Sequence, residues 1–389
     1  MMTLIRGGEV FAPEPLGRKD ILIAGGVIEA VGEPGRLAAA GFEMEVVDAA
    51  GRRVVPGLVD PHVHILGGGG EGGPATRAPE IRIEDIVASG VTTLIGCLGT
   101  DGVTRHMTSL LAKARALEAE GVSTFVFSGS YEVPVRTLTG SVRSDLILID
   151  KVIGAGEIAV SDHRSSQPAF DEIARLAAEC RVGGMLGGKA GVLHLHLGDG
   201  RRGLEVLVRL IRETEIPVTQ VIPTHITRNR SLFEQGLDWV AAGGSIDVTV
   251  GPDPASGDPD VAFEELIAAF NERGLPLTRV TASSDGNGSM PVFDAEGRLV
   301  RLTIATETDL LRKLREVVGQ GFLPLETALR IFSTNAADFY KLGRKGRIDP
   351  GRDADLLVLD GDLGLVDVFA RGKRLMAGGK LLARGTFSA

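Results

Sequence analysis

The sequence predicts an α/β protein that combines a (β/α)8 barrel with a small β-sandwich domain built from both chain ends. Three observations support this fold class. Short apolar runs alternate with longer amphipathic stretches between residues 54 and 340, which is typical of repeated βα units. Both chain ends consist of short alternating runs separated by glycine turns. Histidines and acidic residues recur where the apolar runs end, which is where a barrel carries its active site.

The two chain ends share one pattern. Residues 1–54 contain short alternating runs, and residues 344–389 repeat the pattern, with Asp-Gly and Arg-Gly turns between the runs. We therefore expect residues 1–54 and 344–389 to form one composite β domain, and residues 55–343 to form the catalytic barrel.

The central region contains eight candidate strands and the helices between them. An open doubly wound sheet is less well supported, because no glycine-rich dinucleotide motif follows the first strand. The predicted strands are Val54–Val59, Val91–Cys97, Ser123–Phe127, Lys151–Val160, Val192–Leu197, Pro217–Pro223, Ile246–Val250 and Arg279–Ser284. The predicted helices are Ile83–Ser89, Thr104–Glu120, Pro168–Val182, Gly203–Glu213, Ser231–Ala242, Val261–Arg273, Glu307–Val318 and Pro324–Tyr340.

Composition argues against several classes of partner. The 389 residues carry 42 Lys+Arg against 51 Asp+Glu, a net charge of −9, so the broad positive field of a nucleic-acid-binding protein is absent. The sequence shows neither a signal peptide nor an apolar stretch of membrane-spanning length, which predicts a cytoplasmic protein without a membrane partner. Cys97 and Cys180 are expected to be buried, reduced thiols.

Two glycine-rich loops fall at the expected mouth of the barrel. Residues 66–74 are almost free of side chains except for Glu71, and residues 285–291 form the second loop. Both are expected to be mobile segments able to move over a ligand.

A metal-binding constellation lies at the strand ends. His62 and His64 point to the same side of the first strand because side chains alternate along a strand. Other candidate ligands end the fourth, fifth, sixth and eighth strands, which predicts a site for two divalent cations, most simply Zn2+. The predicted ligands are His62, His64, Glu157, His196, His225 and Asp285.

The predicted chemistry is hydrolysis of an amide or a related bond. Glu157 is the expected bridge between the two cations, and a bridging hydroxide is the expected nucleophile. Asp285 is placed to accept a proton and pass it to the departing nitrogen. His194 faces inward one layer deeper, where we expect packing or a supporting role, and His163 and His106 are given no metal role.

The motifs resemble those of the amidohydrolase superfamily and, within it, the isoaspartyl dipeptidase family. The resemblance runs from the N-terminal β segment through the barrel to a tail typical of superfamily members at residues 335–357. The motifs that carry the narrower match are residues 60–64 with Glu71, and residues 99–102, 130–132, 161–166, 195–199, 224–229 and 284–289.

The resemblance implies the substrate and the residues that bind it. It implies a β-aspartyl dipeptide, Arg164 and Arg228 as carboxylate clamps, Glu71 as the partner of the ammonium, and Tyr131 as the donor to the oxyanion. Gly69, Thr100 and Ser289 complete the implied substrate site. Relatives form large homo-oligomers, often octamers.

One position departs from the family pattern. The family's bridge is a carboxylated lysine, and alignment on residues 161–164 places Glu157 there. Lys151 lies six residues earlier and has the wrong strand parity, so we expect no lysine bridge and no need for CO2.

Two other functions stay open at this point. One is an amidohydrolase that acts on a cyclic amide, such as a dihydropyrimidine or a hydantoin, or on an N-acyl amino acid. The other is a non-catalytic assembly protein, which the complete ligand set argues against.

Overall fold

The predicted barrel is present in the computed structural model, which describes residues 2–37, 43–251, 261–294 and 296–388. Strands β1 to β6 form one parallel sheet in chain order, and β7 pairs with β8. Val63 bridges Gly286 beyond the end of β8, and the hydroxyl of Thr224, the last residue of β6, donates to Asp247 on β7 at 2.7 Å. The barrel strands are β1 (Leu58–Val63), β2 (Val91–Gly96), β3 (Ser123–Ser128), β4 (Val152–Val160), β5 (Val192–Leu197), β6 (Val221–Thr224), β7 (Ile246–Thr249) and β8 (Val280–Ser283).

The helices surround the barrel, and capping residues determine where several of them begin or end. Asn229 caps one of them by accepting the N–H of Leu232 at 2.9 Å, and Gly188 and Gly274 end two others in the left-handed conformation. The helices are α1 (Ile83–Ala88), α2 (Met107–Glu120), α3 (Val142–Leu148), α4 (Phe170–Gly187), α5 (Glu205–Glu213), α6 (Arg230–Ala241), α7 (Phe263–Arg273), α8 (Thr308–Gly319), α9 (Leu325–Leu329) and α10 (Asn335–Phe339), with a π-helical turn at Arg330–Thr334. No helix among the described residues is long and apolar enough to cross a membrane.

Strands from both chain ends form a second sheet, as predicted. Arg53–Pro56 lies antiparallel to Leu356–Leu359 and joins the two halves. A separate core that includes Ile21, Val47 and Phe369 lies against this sheet. The other strands described in the sheet are Met2–Phe11, Pro15–Ala24, Val27–Gly32, Met44–Asp48, Leu365–Ala370, Lys373–Ala377 and Lys380–Leu381. The domain boundaries at 54/55 and 343/344 stay a prediction.

The first barrel strand differs from the prediction of Val54–Val59. The apolar run is divided between the two sheets, because Arg53–Pro56 belongs to the terminal sheet and Leu58–Val63 is β1. Gly57 separates them, and a Cβ on Gly57 would lie 2.1 Å from the Thr92 hydroxyl oxygen. Only glycine fits where the chain passes from the terminal sheet to β1. Because β1 is Leu58–Val63, His62 lies inside it and His64 directly after it.

Both glycine-rich loops make hydrogen bonds to residues outside them. The buried Arg105 guanidinium donates to the carbonyl oxygens of Leu66, Gly68 and Gly69 at 3.1, 2.8 and 3.3 Å. In the second loop, Ser289–Phe293 pairs with Leu299–Ile304 as a hairpin. These hydrogen bonds position both loops at the mouth of the barrel, and their mobility stays a prediction.

Candidate metal centre and active site

All six predicted ligands converge at the C-terminal end of the barrel. Glu157 on β4 lies at their centre and presents one oxygen to each of two histidine pairs. Its Oε2 lies 3.3 Å from His62 Nε2 and 3.5 Å from His64 Nε2. Its Oε1 lies 2.6 Å from His196 Nδ1 and 3.2 Å from His225 Nε2. This is the arrangement needed for one carboxylate to join two cation sites.

Asp285 completes the first of these two groups. Its Oδ1 lies 3.0 Å from His64 Nε2 and 3.5 Å from His62 Nε2. The backbone of Asp285 has φ 53° and that of His225 has φ 61°, a left-handed conformation that is strained for residues other than glycine. Such strain persists where the surrounding structure holds it and is concentrated at functional sites.

The donor atoms fit divalent cations. His62 Nε2, Glu157 Oε2 and Asp285 Oδ1 are buried and make no hydrogen bond with the described residues. Buried polar atoms without partners are costly, so the convergence of these three indicates a cation-binding site. Imidazole nitrogens and carboxylate oxygens are ligands of divalent transition metals, and a tetrahedral zinc ion with Zn–N of about 2.0–2.1 Å has donor–donor distances of about 3.4 Å.

The local electrostatics favour the deprotonated forms of Glu157, Asp285 and His225, which are the forms that bind metal ions. Burial alone would raise the pKa of Glu157, but His62 and His196 hold it well below its usual range. Burial likewise opposes ionisation of Asp285, yet His62 and His64 lower its pKa to about 2. Burial lowers the pKa of His225 to about 3, so its imidazole is neutral at neutral pH.

The pKa values of His62 and His64 are shifted in the opposite direction to that of His225. Burial lowers the pKa of each imidazole, but nearby Cys97 and the acids outweigh it and raise both values well above normal. Cations that bind here must therefore displace protons, which makes binding dependent on pH.

A second layer supports the histidines. His194 Nε2 lies 3.1 Å from His62 Nδ1 and its Nδ1 lies 3.2 Å from the Tyr340 hydroxyl, as expected for a deeper supporting residue. Asp162 Oδ2 lies 2.9 Å from His196 Nε2 and fixes that ring. Lys151 donates to Thr124 O at 3.0 Å near the start of β4, away from the site.

Sequence reasoning missed the roles of Asp162 and Arg105. Asp162 lies in the 161–166 motif next to the Arg164 that was singled out, so an acid beside a proposed clamp was the available signal. Arg105 had no such signal, because the carbonyl groups that it contacts are 27 to 39 residues away in the chain.

All the predicted substrate residues except Glu71 line a 530 Å³ cavity beside the candidate ligands, and Glu71 contacts three of them. Glu71 Oε1 accepts the Ser289 hydroxyl at 2.8 Å and the Thr100 hydroxyl at 3.2 Å, and Arg164 Nη1 lies 3.5 Å away. Glu71 Oε2 is buried and has no hydrogen-bond partner among the described residues. Gly69 lines the same cavity. The structure thus brings together an acid with one unused oxygen and the hydroxyl groups that orient it.

The two arginines are not equivalent. Arg164 forms two hydrogen bonds with Asp162, at 3.1 Å from Nε and 2.7 Å from Nη2. Arg228 also lines the cavity, and its buried Nε has no hydrogen-bond partner in the described part of the chain. Tyr131 lies between these groups and the ligands, with its hydroxyl 2.9 Å from His196 Nδ1.

Family models and several known proteins match this chain. Two models of the amidohydrolase family match residues 45–109 and 259–382. An adenine deaminase from Mesorhizobium japonicum is 26% identical over 97% of the chain, but the chain covers only 57% of that protein's length. A dihydropyrimidinase from Brevibacillus agri NCHU1002, at 16% identity, full coverage of both chains and a TM-score of 0.66, shares the fold.

A solved structure gives a much closer match. The β-aspartyl dipeptidase from Fervidobacterium islandicum AW-1, in complex with β-Asp-Leu, is 47% identical over the full length of both chains with a TM-score of 0.92. The fold and the ligand set define an amidohydrolase enzyme. Within that class, the chain belongs to the β-aspartyl dipeptidase family, as its motifs predicted.

Proposed function

We propose that the protein hydrolyses the isopeptide bond of β-aspartyl dipeptides and releases aspartate and an amino acid. The observation that carries this proposal is the buried Oε2 of Glu71, which has no hydrogen-bond partner among the described residues. The Glu71 carboxylate is oriented by Thr100 and Ser289, which line the cavity next to the candidate metal ligands. A β-aspartyl dipeptide offers an ammonium group to such a carboxylate. Its two free carboxylates suit Arg164 and Arg228.

Two divalent cations, which we propose to be Zn2+, would be held by His62, His64 and Asp285 on one side, and by His196 and His225 on the other. Glu157 would contribute one oxygen to each side. When bound, the cations supply the Lewis acidity that polarises the scissile carbonyl and activates water.

The protein side chains move the protons and stabilise charge. Asp285, whose carboxylate is ionised at neutral pH, accepts the proton of the attacking water and returns it to the departing amine nitrogen. Burial raises the pKa of Tyr131 well above normal, so its hydroxyl stays protonated and donates to the developing oxyanion.

A substrate panel tests this function. We expect hydrolysis of β-Asp-Leu and no hydrolysis of α-Asp-Leu, hydantoin, dihydrouracil, an N-acetyl amino acid or adenine. A neutral ring would leave Glu71 Oε2 without a hydrogen-bond partner, at a cost of about 1–3 kcal/mol. Activity confined to the rings, the N-acyl amino acid or adenine would contradict the proposal, and an inert protein with full metal content would favour an assembly role.

The Glu157 bridge has its own test. Glutamate supplies two oxygens without a CO2 adduct, so apo protein should regain the same activity with Zn2+ whether or not bicarbonate is added. Lys151→Met serves as the control and should retain two metal ions per chain. A requirement for bicarbonate, together with loss of metal in Lys151→Met, would contradict the assignment.

We further propose, from the family resemblance, a cytoplasmic homo-oligomer, with an octamer as the expected state. Light scattering of the purified protein measures its mass directly. A monomer at micromolar concentration would contradict this part of the proposal.

A further inference from the structure

We propose that Cys97 is an additional ligand, as a thiolate, of the cation held by His62 and His64. This inference rests on the proposed metal centre and extends it. Cys97 directly follows β2, the neighbour of β1, at the same end of the barrel, and its side chain is 1% exposed. Its Sγ lies 3.8 Å from His64 Nδ1 and 3.9 Å from His64 Nε2.

The surrounding donor atoms have the spacing of a tetrahedral site. One donor atom each from His62, His64, Cys97 and Glu157 lies within 4.8 Å of the others. A zinc ion with Zn–N of about 2.1 Å and Zn–S of about 2.3 Å needs donor–donor distances of about 3.4–3.6 Å. The observed separations are 3.3 Å for His62–Glu157, 3.5 Å for His64–Glu157 and 3.9 Å for Cys97–His64, all measured to Nε2.

The unpaired neighbours of the thiol point independently to a ligand. His62 Nε2 and Glu157 Oε2 belong to side chains that are 0% and 1% exposed, and neither atom has a hydrogen-bond partner among the described residues. The sulfur has one alternative contact, Val63 O at 3.6 Å, but that carbonyl already accepts the Cys97 N–H at 3.0 Å. The Val63 carbonyl therefore keeps a hydrogen-bond donor when the thiol binds a cation.

The second cysteine has a different environment. Cys180 lies on α4 and is buried in the main hydrophobic core, and no candidate ligand group among the described residues includes it. It offers a matched control, since both thiols are buried and only one lies beside imidazoles.

Ligation by Cys97 would change the chemistry of the first cation. His62, His64, Glu157 and Asp285 would supply hard or borderline donors to this cation, and Cys97 would add a softer one. A thiolate favours Zn2+ over harder cations such as Mn2+, and the thiol proton would be released to solvent when the metal binds.

Cobalt substitution tests the inference without relying on activity. The apo protein is loaded with CoCl2, and its absorption spectrum is recorded for the wild type, Cys97→Ser and Cys180→Ser. We expect a sulfur-to-cobalt charge-transfer band in the near ultraviolet for the wild type and Cys180→Ser, and no such band in Cys97→Ser. X-ray absorption of the zinc-loaded wild type should show a sulfur neighbour at about 2.3 Å.

The outcomes separate this inference from the metal centre itself. Visible cobalt d–d bands without a charge-transfer band, and a zinc spectrum without sulfur, would overturn Cys97 ligation and leave the centre intact. No binding of cobalt or zinc would overturn both. Zinc affinity in Cys97→Ser should fall by more than the 10–100-fold typical of a supporting residue, and a smaller fall would overturn direct ligation.

Discussion

Replacement of Arg228 by methionine tests how the substrate is recognised. Arg228 lines the cavity with a buried Nε that has no partner among the described residues, whereas Arg164 already holds Asp162 with two hydrogen bonds. Arg228 therefore has a donor free to bind a substrate carboxylate. A hydrogen bond to a charged group contributes about 1.5–3 kcal/mol, which corresponds to a fall in kcat/KM of about 10–150-fold in Arg228→Met.

The assay compares β-Asp-Leu with the same dipeptide in which a carboxamide replaces the terminal carboxylate. The wild type should lose most of its kcat/KM on the carboxamide, whereas Arg228→Met should discriminate little between the two substrates. Exposed Arg201→Met is the control and should match the wild type. Equal discrimination by the wild type and Arg228→Met, with unchanged kcat/KM on the dipeptide, would refute the reasoning.

Three further predictions follow from other parts of the site. Tyr131→Phe should lower kcat by about 10²–10³-fold with little change in KM, because the lost hydroxyl acts on the oxyanion; steady-state kinetics on β-Asp-Leu measure both values. Asp162→Asn should weaken zinc binding by about 10–100-fold, because Asp162 orients His196, and metal content after dialysis against a chelator measures this loss. Burial raises the pKa of Glu307 from 4.5 to about 7, so its contribution to folding is largest below pH 4.5 and declines as the pH rises towards 7. Glu307→Gln should therefore raise Tm more at pH 8 than at pH 5, and an equal change at both pH values would contradict this assignment.

The sequence was sufficient to predict the barrel and the convergence of its ligands. The candidate ligands lie where the predicted strands end, and His62 and His64 alternate along one strand. Such side chains meet at the C-terminal end of a barrel regardless of the loop conformations. Glu157 is a harder case. Ala155 pairs with Leu193 and Ile158 with Leu195, so β4 has an extra residue opposite β5 at this point. Simple alternation therefore does not determine the direction of the Glu157 side chain.

Other features could not be predicted for identifiable reasons. The apolar run from Val54 to Val59 carries no mark of the change between sheets except Gly57, whose importance depends on Thr92 from the next strand. Arg105 contacts backbone carbonyls, which leave no trace in side-chain patterns. A single cysteine such as Cys97 has no spacing motif, so its proximity to His64 emerges only from the fold.

The single-residue junction at Gly57 has a consequence for protein engineering. Only this one residue connects the sheet built from the chain ends to the strand that leads to His62 and His64, so the two cannot move independently at this point. A circular permutation or domain exchange with its breakpoint there would release the start of that strand, so we expect such a product not to bind the proposed metal ions. Breakpoints in exposed loops, such as the turn at residues 378–379, would leave the junction intact.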